Sequence, residues 1–415
     1  MHQQDPNTNT DHTHVVVIVG GGAGGLAVAA GLLRAQPDLD VAVIEPSDDH
    51  YYQPGWTLVG GGAMSAAATH HAERDHMPDK ATWIKDAAAS FEPDSNRLTL
   101  ASGKTVGYKV LVMAAGLQLD WDKIDGLTES LGKNGVTSNY RFDLAPYTWQ
   151  LTQQFKGGDA VFTQPSMPIK CAGAPQKAMY LSADHWRKQG VAANVHFYNQ
   201  GGGMFGVPLY AKALDKVVAD YGIHTHFGHN LIAVDGADKR ATFHTENGDV
   251  EASFDMLHVV PPQSAPDFIK ASPLSDDSGW VTVDKNSLRH DQYENVYGLG
   301  DCTNTPNAKT AAAVRRQFPA VVSGVLAKLG HGNGAERYDG YGACPLTTER
   351  GKVMLAEFRY GGEVVPSFPL DPTVPRRLQW VMKRRFFPWL YWNVMLAGKN
   401  WDKPSPKPRP SVVSG

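Results

Sequence analysis

The 415-residue chain has few cysteines, almost no charge excess and no long apolar run, and each absence excludes a class of protein. Cys171, Cys302 and Cys344 are its three cysteines, and none belongs to a C-x-x-C pair, which argues against a zinc site or a thioredoxin motif. The formal net charge of −3 gives no reason to expect a nucleic-acid partner. The apolar runs are shorter than the roughly 18 residues of a spanning helix, so none is predicted.

The polar N-terminus also lacks a targeting pattern. Residues 1–14 show neither the cationic-then-apolar order of a secretory signal nor the Arg-rich amphipathic order of an organellar transit peptide. We therefore expect a bacterial-type cytoplasm, although a chain whose presequence has been removed would look the same. Structural disulfides are rare in that compartment, so a pair among the three cysteines would more readily be catalytic.

A glycine fingerprint follows the first apolar strand, which covers residues 15–19. Gly20, Gly22 and Gly25 have G-x-G-x-x-G spacing, and a helical pattern follows them. The first glycine permits a tight turn, the second lets backbone approach a pyrophosphate, and the third lets helix and strand pack closely. Glu45 ends the next apolar strand, where a carboxylate can accept hydrogen bonds from a ribose. Together these parts predict a dinucleotide site for NAD or FAD.

Two later segments favour FAD. One strand-like run leads into Ala115 and Gly116, and another ends at Gly300 and Asp301. A strand that ends in Gly-Asp resembles the late motif of two-dinucleotide-domain flavoproteins, in which the Asp meets the ribityl or pyrophosphate part of FAD. A helix opens just afterwards, near Lys309. Its N-terminus would stabilise negative charge on the pyrimidine ring of a reduced flavin.

The second nucleotide-binding unit lacks the parts that an NADH site needs. A strand over residues 159–164 leads into a loop over 165–175 whose three prolines leave few free N–H groups for a pyrophosphate. The next strand ends at Gln200 instead of an acid. A second G-x-G-x-x-G, over 201–206, follows that strand and not the first, so we interpret it as a flexible approach to the next helix. The unit is predicted to keep the fold without the nicotinamide.

The segments around Cys171 and Cys344 resemble those of the sulfide:quinone oxidoreductases, in particular the type II branch that includes the mitochondrial enzyme. The resemblance extends from residue 15 onward, and six segments carry it: residues 20–25, 52–56, 168–175, 300–304, 309–314 and 341–347. It implies that Gln53 and Lys309 also contact the FAD. The chain lacks the cysteine that other branches have between Glu45 and Ser166, so the FAD is expected to be bound non-covalently.

The resemblance also implies a mechanism. Cys171 and Cys344 form a redox-active disulfide, hydrosulfide attacks it, and a persulfide forms on Cys344. Cys171 becomes a thiolate beside the flavin, and two electrons pass through FAD to ubiquinone or menaquinone. Glutathione, sulfite or sulfide takes the sulfane sulfur. Lys170, one residue from Cys171, is a candidate for lowering the pKa of a thiol.

The C-terminal region alternates cations with bulky apolar residues over 376–392, and Pro388 is expected to divide it into two short helical pieces. Such a segment is typical of an element that lies in a lipid interface, although a helix buried against the domains or a second subunit would show the same pattern. The candidate quinone and membrane residues are its aromatic members: Phe386, Phe387, Trp389, Tyr391 and Trp392.

The histidines do not form a credible metal site, so no metal is expected. His70, His71 and His76 cluster in sequence, and a second set alternates over residues 224–229. His196 or another histidine near the flavin is a candidate base for sulfide, and the sequence does not choose among them.

The predicted fold class is α/β, with two Rossmann-like dinucleotide-binding domains and a C-terminal amphipathic membrane-associating segment. The FAD-binding domain comprises 15–122 and 280–330, the second domain 155–278, and the cysteine, quinone and membrane region 331–415. We expect a peripheral enzyme on the inner membrane of a bacterium, on its cytoplasmic face. The sequence does not decide the oligomeric state, and a homodimer is among the alternatives.

Three other functions compete with sulfide:quinone oxidoreduction. A type II NADH:quinone dehydrogenase shares the fold and the membrane end, and NADH alone would bleach its flavin. The flavin subunit of a sulfide dehydrogenase would feed a cytochrome partner. A sulfide sensor would keep FAD without turnover.

Overall fold

The structure, a computed structural model, describes residues 12–400, in which strands and helices alternate along most of the chain. The strands are β1 (His12–Val19), β2 (Val41–Ile44), β3 (Asp49–Tyr51), β4 (His70–Ala72), β5 (Thr82–Ile84), β6 (Ala88–Glu92), β7 (Arg97–Leu100), β8 (Thr105–Met113), β9 (Gln118–Leu119), β10 (Val136–Thr137), β11 (Gly158–Gln164), β12 (Ala193–Asn199), β13 (His224–Phe227), β14 (Asn230–Asp235), β15 (Arg240–Thr245), β16 (Gly248–Ser253), β17 (Met256–His258), β18 (Gln263–Ser264), β19 (Val296–Gly298), β20 (Gly342–Glu349) and β21 (Lys352–Phe358). The α-helices are α1 (Ala23–Ala35), α2 (Trp56–Gly60), α3 (Leu127–Ser130), α4 (Leu144–Gln154), α5 (Ala174–Gln189), α6 (Pro208–Tyr221), α7 (Asp267–Lys270), α8 (Ala311–Lys328), α9 (Arg377–Val381) and α10 (Phe387–Leu390).

The first sheet has seven strands in the order β5-β2-β1-β8-β7-β6, and β19 also pairs with β8. Strands β5, β2, β1, β8 and β19 run parallel, and the apolar residues of β2, β8 and β19 and most of those of β1 are buried because helices such as α1 and α8 pack on the sheet. Strand β1 lies between β2 and β8, so the strand order reverses there. A crevice opens at the carboxyl ends of the strands at such a switch point. Gly20 and Glu45 both follow strands at this edge.

The second sheet is parallel, in the order β10-β17-β11-β12-β13. Helix α5 connects β11 to β12, and α6 connects β12 to β13, as in a second Rossmann-like unit. The predicted α/β fold is confirmed, and these elements agree with the sequence patterns to within about two residues. Strand β10 joins this sheet from outside the range 155–278, and the domain boundaries stay predictions.

A hairpin of β20 and β21 carries Cys344 and packs on α5. Side chains on successive residues of a strand point to opposite faces. Cys344 and Leu346 on β20, with Met354 and Ala356 on β21, belong to the same buried cluster as the apolar residues of the second sheet. The hairpin therefore brings the late cysteine to the beginning of α5.

The C-terminal region is helical from Arg377 to Met395, with π-helical turns at Met382–Phe386 and Tyr391–Met395. The expectation that Pro388 divides it was wrong, since the flanking residues keep right-handed helical dihedral angles. Proline cannot donate a hydrogen bond within a helix, and wider i→i+5 turns are one way in which a helix accommodates such a loss. Within residues 12–400 no helix is both long and apolar enough to cross a bilayer.

Candidate active site

One cavity of about 710 Å³ runs from the glycine fingerprint to the C-terminal helical region. Most of the predicted site residues line it: Gly20, Gly22, Glu45, Gln53, Ala115, Gly116, Cys171, Asp301, Lys309, Phe386, Phe387 and Tyr391. Gly25, Cys344, Trp389 and Trp392 do not line it. Residues that follow β1, β2 and β8 and residues of the loop before α5 thus meet around one space, although the sequence separates them widely.

The glycine turn holds its shape because side chains would not fit at two of its positions. Gly20 has φ +104°, and a Cβ there would lie 2.6 Å from the Ala114 carbonyl oxygen. A Cβ on Gly25 would fall on the carbonyl oxygen of Gly20. Gly22 faces open space and caps α1 without a side-chain hydrogen bond, so the first N–H groups of α1 stay available to an anion.

Glu45 closes the same turn from the end of β2. Its Oε2 accepts a hydrogen bond from the Gly21 N–H at 2.8 Å, and its Oε1 accepts one from the Ser47 N–H at 2.8 Å. Each oxygen of a carboxylate can accept a second hydrogen bond, so a ribose hydroxyl still finds an acceptor here. The open helix N-terminus, the side-chain-free turn and this carboxylate fit the pyrophosphate and ribose of FAD.

The turn after β19 supplies the other half of the cradle. Burial raises the pKa of Asp301. The Lys309 ammonium donates to the carbonyl oxygens of Asp301 and Thr303, both at 2.7 Å, and lies 3.8 Å from the centre of the Trp280 ring. Lys309 therefore fastens the Asp301 turn. The Thr310 hydroxyl caps α8 by accepting from the Ala313 N–H, and the helix begins at the cavity wall.

A buried pair of residues that the sequence did not single out lies beside this cradle. His50 Nδ1 is 2.7 Å from Glu73 Oε2, and His50 Nε2 is 2.7 Å from the Tyr391 hydroxyl. Burial lowers the pKa of His50 to about 4 and raises the pKa of Glu73 to about 8, so both are neutral around pH 7. Glu73 Oε1 is buried at the cavity and has no hydrogen-bond partner among residues 12–400. These hydrogen bonds connect the C-terminal helical region to the dinucleotide end of the cavity.

Cys171 lines the cavity, and its sulfur lies 3.6 Å from that of Cys344, which is buried behind the cavity wall. Cys171 has φ +50° and donates its N–H to the Lys309 carbonyl oxygen at 2.8 Å, which fixes the thiol beside the Asp301 turn. Gly173 permits the approach of Cys344, because a Cβ there would lie 2.6 Å from the Cys344 sulfur. Cys344 is 1% exposed, whereas Cys171 opens to the cavity.

Two lysines that the sequence analysis did not consider control the charge of this pair. The Lys177 ammonium lies 2.9 Å from the Cys171 sulfur. Lys383 is buried nearby and donates to the Pro345 carbonyl oxygen at 3.0 Å. The hydrogen bond from Cys344 and then the charge of Lys177 lower the pKa of Cys171 well below its ordinary value, against the effect of burial. The hydrogen bond to Cys171 and burial raise the pKa of Cys344.

Lys170, the predicted cation, points away from the thiol. Its ammonium donates to Gln53 Oε1 at 2.7 Å and lies 5.8 Å from the Trp56 ring centre. Burial lowers the pKa of Lys170 to about 8. Cys302, the third cysteine, is buried under the cradle, and burial raises the pKa of its thiol to about 11, so it stays protonated.

The aromatic residues of the C-terminal region divide between two faces. Phe386, Phe387 and Tyr391 line the cavity. Trp389 is 54% exposed, and Trp392 stacks on His71 with ring centres 3.9 Å apart. Among residues 12–400, no group of three or more His, Cys, Asp or Glu is arranged to hold a metal ion.

Comparison with known proteins identifies the family. Residues 14–146 match the family described as pyridine nucleotide-disulphide oxidoreductase. The mitochondrial sulfide:quinone oxidoreductase of Dictyostelium discoideum is 44% identical over 94% of this chain and 87% of that protein. The mouse mitochondrial enzyme is 42% identical over 96% of this chain and 89% of its own. The chain belongs to the sulfide:quinone oxidoreductase family. It is therefore an FAD-dependent oxidoreductase, as the sequence predicted.

The solved sulfide:quinone oxidoreductase of the bacterium Aquifex aeolicus has the same fold as this member of the family. It is 19% identical with a TM-score of 0.76, and the match covers 94% of this chain and 92% of that one. At this identity the likeness concerns the fold alone.

The expected location on the inner membrane of a bacterium was wrong. The Dictyostelium, mouse and Schizosaccharomyces pombe relatives, at 36–44% identity, are all mitochondrial proteins of eukaryotes. The error arose because residues 1–14 lack a transit pattern, and an N-terminus without one does not exclude an organelle whose import removes the presequence. Residues 1–11 lie outside the described part of the chain.

Proposed function

We propose that this enzyme oxidises sulfide at Cys171 and Cys344 and passes two electrons through FAD to a quinone. The observation that carries the proposal is the 3.6 Å approach of the Cys344 sulfur to that of Cys171, which lines the cavity shared with the glycine turn. FAD supplies the two-electron carrier between the sulfur pair and the quinone. The mitochondrial relatives support the inner membrane of mitochondria as its location.

The sulfur chemistry begins from the Cys171–Cys344 disulfide. Hydrosulfide attacks the Cys344 sulfur, the bond between the two cysteines breaks, and Cys171 leaves as a thiolate while Cys344 holds a persulfide. A thiolate acceptor such as glutathione, or else sulfite or sulfide, takes the outer sulfur and leaves the Cys344 thiolate. The disulfide forms again when the Cys171 and Cys344 thiolates lose two electrons, which FAD would accept when bound.

The charges around the pair support this division of roles. A good leaving group is a thiol of low pKa, and Lys177 lowers the pKa of Cys171. Lys177 itself is buried, which disfavours its charge, but Cys171 and Cys344 outweigh burial and raise its pKa. The ammonium therefore keeps its charge and can stabilise the departing Cys171 thiolate. Cys171 also faces the cavity, where the FAD would receive the electrons.

The C-terminal region supports a quinone site and membrane association. Its inner face contributes Phe386 and Phe387 to the cavity, and apolar aromatic walls suit a quinone ring. On its outer face Leu378, Val381 and Trp389 are 50%, 52% and 54% exposed. Exposed arginines accompany them, as in helices that lie at an anionic lipid surface.

An anaerobic experiment tests the proposed reaction. Sulfide is added to the purified protein while the flavin spectrum is followed, and a short-chain ubiquinone is added next. We expect reduction by sulfide and reoxidation by the quinone. NADH added alone is expected to leave the flavin oxidised. Bleaching by NADH without any response to sulfide would replace the proposal with a type II NADH dehydrogenase.

Membrane association is tested with vesicles of phosphatidylcholine and anionic phosphatidylglycerol. The double variant Leu378→Ser with Trp389→Ser should lose most of its co-sedimentation with them, because it removes apolar area that would enter the interface. Val250→Ser, at a residue 42% exposed on β16, is the matched control. Equal binding of both variants would show that the outer face of the C-terminal region is not a membrane surface.

A further inference from the structure

The hairpin of β20 and β21 separates two environments. Cys344 pairs across the strands with Ala356, and both face the core under α5. The adjacent pair, Ala343 with Glu357, faces the cavity instead. Glu357 is thus a carboxylate on the cavity side of the wall that carries the reactive cysteine, and it is 2% exposed.

Three hydrogen bonds hold the Glu357 carboxylate. Its Oε1 accepts from the Tyr341 hydroxyl and from the Ser367 hydroxyl, both at 2.6 Å, and its Oε2 accepts from the Ser367 N–H at 2.7 Å. Ser367 is exposed and Tyr341 is 6% exposed, and both residues line the cavity. Hydrogen bonds therefore connect solvent to the cavity through Ser367, Glu357 and Tyr341.

The part of the cavity at Tyr341 has both apolar and cationic neighbours, since the guanidinium groups of Arg315 and Arg316 lie 5.8 and 5.0 Å from the Tyr341 ring centre. Leu355, Phe386 and Phe387 line it together with Glu357. Burial, and then the charge of Glu357, raise the pKa of Tyr341, so its phenol keeps the proton at neutral pH. A flat ring with oxygen acceptors would find apolar walls here and a hydroxyl that can donate, which are the features of a quinone site with a proton source.

We infer that Tyr341 and Glu357 carry protons from solvent to the quinone, an inference that rests on the proposed function. Reduction of a quinone to a quinol takes two electrons, which sulfide supplies, and two protons. For each proton, the Tyr341 hydroxyl turns from Glu357 to the quinone oxygen and gives up its proton. The Glu357 carboxylate then takes a proton from water through the Ser367 hydroxyl and passes it to the Tyr341 phenolate, which restores both groups.

The two half-reactions test this route separately by rapid mixing. In Glu357→Gln, sulfide should reduce the flavin at the wild-type rate, because the carboxylate lies on the opposite face of the hairpin from Cys344. Reoxidation by decylubiquinone should slow by about 10²-fold, the usual loss when a positioned proton donor is removed. Reoxidation by ferricyanide should stay at the wild-type rate, since ferricyanide takes electrons without protons.

Matched variants complete the test. Glu363→Gln removes an exposed carboxylate from the segment after β21 and should leave both half-reactions unchanged. Glu357→Asp keeps a carboxyl group and should recover part of the quinone rate. Tyr341→Phe should slow the quinone phase alone, and it decides the matter if the Glu357→Gln protein fails to fold with flavin.

The possible failures are distinguishable. A wild-type flavin that sulfide does not reduce refutes the proposed function itself. Normal sulfide reduction with wild-type reoxidation by decylubiquinone in Glu357→Gln refutes only the proton route. Equal slowing with decylubiquinone and ferricyanide would assign Glu357 a structural role and also refute the route.

Discussion

The two loops that follow the first strand of each nucleotide-binding unit occupy equivalent positions and have opposite chemistry. After β1, glycines leave the N-terminus of α1 open to an anion. After β11, the chain passes through three prolines, and Pro175 occupies the first turn of α5. That loop presents Cys171 to the cavity. A strand-to-helix junction thus leaves a helix N-terminus open in one unit and presents a thiol to the cavity in the other.

Substitution of the cysteines should have the largest effect on the contrast between the two loops. Cys171→Ser and Cys344→Ser should each retain FAD and lose rapid flavin reduction by sulfide by at least about 10³-fold, because loss of a nucleophile removes a covalent route. Stopped-flow absorbance measures the rate. Cys302→Ser, at the buried third cysteine, should react at the wild-type rate. A full rate in either of the first two variants would remove the proposed roles.

The two glycine motifs should respond differently to the same change. Gly25→Ala places a Cβ on the Gly20 carbonyl oxygen, and it should lower the free energy of unfolding by about 3 kcal/mol and deplete the bound flavin. Gly203→Ala meets open space and should change stability by less than about 0.5 kcal/mol. Chemical denaturation and the flavin-to-protein absorbance ratio measure both. Equal losses would mean that the second motif also has a role in binding or packing.

The ionisation of Cys171 can show which lysine, Lys177 or Lys170, stabilises its thiolate. Without the Lys177 ammonium the thiolate loses its partner, so the pKa of Cys171 rises in Lys177→Met and higher pH is needed to ionise it. A hydrogen bond to a charged group contributes about 1.5–3 kcal/mol, so alkylation of the reduced enzyme by iodoacetamide at neutral pH should slow by about tenfold. Lys170→Met should have a smaller effect. A larger effect of Lys170→Met than of Lys177→Met would support Lys170 as the cation that lowers the pKa of the thiol, as the sequence predicted.

Substitutions of Glu45 and Gln200, which follow the second strand of each unit, should have the smallest effects. Glu45→Gln should weaken FAD binding to the apoprotein by about tenfold, because it replaces a charged acceptor of a ribose hydrogen bond. Calorimetric titration with FAD measures this loss. Gln200→Glu should leave the flavin unreactive towards NADH, since the prolines after β11 still provide no pyrophosphate cradle. Reduction by NADH in that variant would show that a single acid restores the nicotinamide site.

Local sequence predicted what depends on near neighbours along the chain. The β1 strand, its glycine turn and Glu45 lie within one βαβ unit, and each has a spacing set by backbone geometry. The helical segment at the C-terminus was also predictable from its pattern of cations and aromatics. Pro388 was misinterpreted because a proline's effect on a helix depends on whether wider turns form around it.

Contacts over long distances were outside the reach of the sequence. Lys170 is adjacent to Cys171 but reaches Gln53, whereas Lys177 reaches the thiol from the first turn of α5. A helix beginning at Ala174 brings Lys177 back towards the loop, which is the one local signal that could have indicated it. No local signal links His50 with Tyr391, because they are 341 residues apart.

By itself the sequence determined the α/β fold, the glycine turn after β1, the absence of an acid after β12 and, through family resemblance, the family and the two cysteines that we propose to react. Only the tertiary structure decided which lysine pairs with which sulfur, which face of the β20–β21 hairpin meets the cavity and which aromatics turn inward. Backbone spacing is a local property of the chain. Charge pairing and burial depend on elements that become neighbours only after folding, so their energies are set by the packed structure.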